Sequence, residues 1–84
     1  MPANKIHWYE LELITLSDVQ KFVSISEKMS IPLILTDKNE NYKANAKSLL
    51  GVMYSCEWSS LYLISEEDVY MHFKDFIKSS CVKY

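Results

Sequence analysis

The segment IHWYELELI, residues 6–14, alternates apolar and acidic side chains: Tyr9, Leu11 and Leu13 fall on one side, Glu10 and Glu12 on the other. A period of two means a strand with one dry face and one wet face. The next segment, LSDVQKFVSISEKM, changes period, with Val19, Phe22, Val23 and Met29 forming a helical stripe. A one-sided strand followed directly by an amphipathic helix favours a sheet with helices packed against its dry face, the α+β arrangement.

The remaining segments extend this pattern. Ser17 and Gln20 have the spacing of a capping box, which predicts a helix from about Asp18, over residues 18–29. IPLILT reads as a short apolar strand, DKNEN as a turn in which Asn41 takes the left-handed conformation, and NYKA as the returning strand. Asn45 is the expected N-cap of a short helix over 46–54. LYLI reads as a buried strand. Ser65 and Asp68 form a weaker capping box before a final helix over 67–78, with Val69, Phe73, Phe76 and Ile77 on its buried face. The expected fold is a single α+β domain over residues 1–84 in the order β-α-β-β-α-β-α: an open-faced sandwich with a four-stranded antiparallel sheet and three helices on one face.

Several functional classes are disfavoured by what the 84 residues contain. All nine basic residues are lysines, and the net charge is −2. Without arginine the chain has no bidentate guanidinium for phosphate or carboxylate. No nucleic-acid partner is expected. Cys56 and Cys81 do not form a CxxC pair and read as ordinary thiols. His7 and His72 have no further ligands at metal spacing, so no metal and no cofactor is expected. His72 is expected on the margin of the last helix's apolar face, as a partly buried structural histidine. No apolar run approaches the roughly 20 residues needed to span a bilayer, so no membrane partner is expected. The start, MPANKIHWYE, lacks a secretory pattern, and a cytoplasmic protein is the expectation. There is no glycine-rich phosphate loop, nucleophile–base pair or carboxylate constellation, and the chain does not read as an enzyme.

The chain's one glycine, Gly51, lies in NAKSLLGVM, residues 45–53. This segment resembles the family of the histidine-containing phosphocarrier protein, HPr, of the bacterial sugar phosphotransferase system, in which a segment N-x-K-S-(I/L)-(M/L)-G-V-M recurs. Asn45, Lys47, Ser48, Gly51, Val52 and Met53 match its fixed positions. The expected element order and the chain length also agree with the family. The resemblance implies that Ser48 is a regulatory phosphorylation site in the first turn of its helix, where the helix dipole favours a phosphoryl group. The plain alternative is a solvent-facing serine. It also implies that Lys47, Leu49, Leu50 and Met53 belong to a partner-docking patch, the alternative for the leucines being the core. Leu49 and Leu50 lie about 100° apart on a helix, so one is expected inward and the other partly wet. Gly51 is expected either to relieve a close backbone approach or to end the helix as a C-cap.

The family's carrier histidine lies in a segment like G-(I/L)-H-A-R-P-A. Counting back from Ser48 without a gap, its position holds Ser17, with Val19 at the arginine and Gln20 at the proline. Serine without a base is a poor nucleophile, and capping suffices to explain Ser17. A branch of the family, the catabolite-repression HPr, also lacks the histidine and keeps the serine; here the arginine is gone too. The resemblance therefore implies a regulatory relative rather than a phosphohistidine carrier. Its partner would be another protein, from the phosphotransferase system, a regulator, or a serine HPr kinase. The alternative is an interaction module with the same fold and no phosphorylation role.

Overall fold

The computed structural model describes residues 5–83; residues 1–4, which carry part of the reading of the N-terminal segment, and residue 84 lie outside the described range. The elements are β1 (Ile6–Leu11), α1 (Leu16–Glu27), β2 (Ile34–Thr36), β3 (Lys43–Asn45), α2 (Leu49–Ser55), β4 (Tyr62–Ser65), α3 (Tyr70–Phe73) and β5 (Ile77–Lys83). They form an α+β fold around one antiparallel open sheet of order β3-β2-β4-β1-β5. No helix among the described residues is long and apolar enough to cross a membrane.

Register explains the two faces. Ala44, Leu35, Leu63 and Tyr9 stand side by side across four strands. Leu35 and Leu63 are fully buried, and Tyr9 nearly so. The helices add Val19, Phe22, Val23, Val52 and Phe73 to the same core. The alternation of Tyr9 and Leu11 with Glu10 thus does what period two requires. On the opposite face Ile34, Ile64, Trp8 and Cys81 form the adjacent row. Trp8 is buried there by local cover: Tyr62 meets its ring edge-on at 5.7 Å, and Lys83 Nζ lies 3.8 Å from its ring centre.

The expected four strands are five. The predicted helix over 67–78 stops early: α3 is one turn, a 3-10 turn follows over Lys74–Phe76, and the chain then runs as β5 along β1. Val69, Phe73 and Phe76 are buried as expected, whereas Ile77 opens the strand. His72 is exposed rather than partly buried. Ser65 Oγ accepts from Glu67 N–H and caps no helix, and Asp68 instead accepts from Tyr70 N–H.

Two other termini also differ from expectation. Thr15, not Ser17, is the N-cap of α1. Its hydroxyl accepts from Asp18 N–H at 3.1 Å, while the Asp18 carboxylate accepts from Thr15 and Ile14 N–H. A carboxylate three residues after a threonine satisfies reciprocal donors better than the neutral pair two residues on. In the β2–β3 hairpin, Glu40, not Asn41, has the positive φ of 59°. Asp37 sets this position: its carbonyl accepts from Glu40 N–H and its carboxylate from Tyr42 N–H.

Candidate docking surface

The segment leading into α2 is anchored from below. Ala46 is fully buried, and its N–H donates to Leu33 carbonyl. Asn45 caps no helix; its side-chain oxygen accepts from Lys47 N–H, and its carbonyl from Ser48 N–H. Lys47 Nζ donates to Met29 carbonyl at 2.6 Å, which ties this segment to the end of α1. The ammonium is therefore half-buried against a carbonyl rather than extended toward a partner.

Ser48 is the N-cap of α2, one position before the expected first turn. Its φ and ψ are extended, and its hydroxyl accepts from Gly51 N–H at 3.1 Å. The side chain is half-buried, leaving part of the residue open to solvent. Gly51 is the third residue of the helix, with no positive φ, so it is not a C-cap. A Cβ there would lie 3.1 Å from Asn45 carbonyl oxygen and 3.3 Å from Ser48 Cβ. The glycine thus allows the cap and the turn before it to close against the helix, a close backbone approach of the kind expected.

Val52 and Ser55 are the fully buried residues of α2. Neither leucine turns inward. Leu49 is 43% exposed and Leu50 78%, with Met53 at 44% and Tyr54 at 53%. The inward face of α2 is Val52 and Ser55, three apart, and this rotation leaves both leucines outward. Leu49 and Met53, and Leu50 and Tyr54, are four apart and adjacent on the helix surface. Together the four side chains make one apolar patch beside Ser48.

The patch runs beyond the residues expected from sequence. Tyr54 packs edge-on against Trp58 at 5.6 Å, and the exposed Tyr42 stacks on the same indole at 5.8 Å. Trp58 Nε1 is buried and has no hydrogen-bond partner among the described residues. Tyr54 was readable as the i+4 neighbour of Leu50. Tyr42 and Trp58 reach it only through the fold. Cys56, the C-cap residue of α2, is exposed overall, and partial burial pushes its thiol up.

Ser17 lies elsewhere, exposed in the first turn of α1, and makes no side-chain hydrogen bond among the described residues. The nearest carboxylate in sequence, Asp18, is committed to two backbone donors, which hold it below the usual carboxylate range. It is an acceptor already in use, not a base aimed at Ser17. Among the described residues no group of three or more His, Cys, Asp or Glu side chains is placed to hold a metal ion.

Comparison with known protein families, with curated proteins and with solved structures finds no match to this chain.

Proposed function

We propose that this chain is a protein-docking domain of the HPr type, working through the outer face of α2 and regulated at Ser48. The observation that carries the reading is the placement of Leu49, Leu50, Met53 and Tyr54, all exposed on one short helix whose N-cap is a solvent-reachable serine. A helix that needed only to be covered would carry polar residues there, since its inward stripe is complete without them. The patch is small and aromatic at one end, a composition common where proteins meet. A phosphoryl group on Ser48 would bring a charge of roughly −1.5 to −2 to its edge and change which surfaces dock there. Ser17 at the carrier position leaves phosphotransfer outside the proposal. The proposed partner is therefore another protein, of the sugar phosphotransferase system or a regulator.

The test is incubation with a serine HPr kinase and ATP, followed by phosphate-affinity electrophoresis. A retarded band that Ser48→Ala abolishes supports regulation at Ser48. No retarded band removes the switch and leaves the second reading, a docking module without phosphorylation. That reading is favoured by one fact: the Ser48 hydroxyl already has a structural task in accepting from Gly51 N–H.

A further inference from the structure

Away from α2, between the start of α3 and the β1–β5 pair, lies an open cavity of about 400 Å3. Small-molecule sites span roughly 300–1,000 Å3. It is lined by His7, Tyr70, Met71 and Val82, with Ser80 and Cys81 on the strand side and Tyr9 beneath, its side chain almost wholly buried. The His7 and Tyr9 rings are nearly parallel, 7° apart with centroids at 6.2 Å.

One carboxylate enters this lining. Tyr9 hydroxyl donates to Asp68 Oδ1 at 3.0 Å, and Tyr70 N–H donates to the same oxygen at 3.0 Å. The buried Val69 N–H donates in turn to the Tyr9 hydroxyl at 2.9 Å, which fixes the proton's direction toward Asp68. Oδ1 is therefore fully used and the carboxylate is held in place. Oδ2 accepts no hydrogen bond and Asp68 makes no direct ion pair among the described residues, His7 being the charged neighbour whose field reaches it. No lysine lines the cavity.

The chemistry of these walls selects an occupant. An anion would meet a fixed negative charge. A neutral apolar ligand would strip water from that charge without replacing its hydrogen bonds. A metal ion would meet Asp68, His7 and Cys81 in the lining, but among the described residues no three such side chains are grouped to hold one. A cation with methyl or methylene groups suits both features: the carboxylate answers its charge, and the exposed Tyr70 ring attracts it as well. We infer that this cavity binds a small organic ammonium compound, with Asp68 Oδ2 facing the charge and the exposed Tyr70 ring, with the half-buried His7, beside its alkyl groups. The site is separate from Ser48, so its test does not depend on the docking proposal.

The probes are choline and its uncharged isostere 3,3-dimethylbutan-1-ol, titrated into the full chain while backbone amide resonances are followed by NMR. The expected result is saturable shifts at Tyr70 and Val82 with choline, and binding of the isostere weaker by about tenfold or more. Asp68→Asn should abolish the preference for the charged probe. Tyr70→Ala keeps the carboxylate and its backbone donor, and should weaken choline several-fold even if the first variant does not fold. Equal affinity for the two probes, no saturable shift with choline, or a Tyr70→Ala chain that binds choline unchanged would overturn the proposal.

Discussion

Tyr9 shows how much one side chain holds together here. Its ring fills the core between β1 and β4, and its hydroxyl links Asp68 to the buried Val69 N–H. Burial, above all, pushes its pKa up to about 12. A group whose folded pKa lies above its unfolded value adds stability below the unfolded pKa and loses it as pH rises through the folded one. Stability should therefore fall between about pH 10 and 12, and Tyr9→Phe should remove that part of the alkaline loss; chemical denaturation at a series of pH values measures it. At neutral pH the same variant leaves Val69 N–H buried without a partner, at a cost of about 1–3 kcal/mol. Asp18 and Asp68 act in the opposite direction. Their backbone donors lower their pKa values, so their contribution is present at neutral pH and is lost as pH falls through those lowered values. Gly51 poses a contest between two effects. Gly51→Ala gains about 1 kcal/mol of helix propensity, but the new Cβ presses on Asn45 carbonyl and on a cap worth about 1 kcal/mol. Because the nearer contact is backbone, which gives little, we expect net destabilisation of about 1 kcal/mol, read as a lower denaturation midpoint.

Among the elements, α2 separates the two tasks of a helix most clearly. Val52 is fully buried and Leu50 is the most exposed of its large apolar residues. Val52→Ala should cost about 2 kcal/mol, whereas Leu50→Ser should change stability by less than about 0.5 kcal/mol. Thermal unfolding of both variants tests whether the outward face contributes to folding; equal losses would place Leu50 in the core and end the docking proposal. The elements also show where the sequence was legible. β1 and α1 were clear because Tyr9, Leu11, Phe22 and Val23 are buried with the period of their own element. β5 carried no such signal. From Lys78 on, its residues are exposed on both faces, and it is held by backbone pairing to β1, which leaves no mark on hydrophobic period. Val69, Phe73 and Phe76 meanwhile fit a helix of any length, so the predicted helix ran on through the 3-10 turn. At the first cap, threonine and serine stand two residues apart, and the choice of Thr15 over Ser17 rested on where Asp18 could reach back. Half of the candidate docking surface was readable from NAKSLLGVM. Tyr42 and Trp58 join it through the hairpin and the chain after α2, a proximity that no spacing encodes.

For the molecule as a whole, the exposed α2 patch and the Asp68 cavity lie on different elements, and a change at one should leave the other's chemistry intact. Incubation with phosphoenolpyruvate and the general enzyme of the sugar phosphotransferase system should leave the protein without label. Ser17 has no base in hand, and Asp18 is occupied by backbone donors. Acid-labile label on a histidine would overturn that expectation. The contact between Lys83 and Trp8 gives the molecule something else: an optical reporter at one edge of its sheet. An ammonium 3.8 Å from an indole perturbs its excited state, and that contact exists only while the last strand stays zipped to the first. In a Trp58→Phe background the emission of Trp8 should therefore report detachment of the terminal strand, and it should change at lower denaturant than the far-ultraviolet signal of the helices.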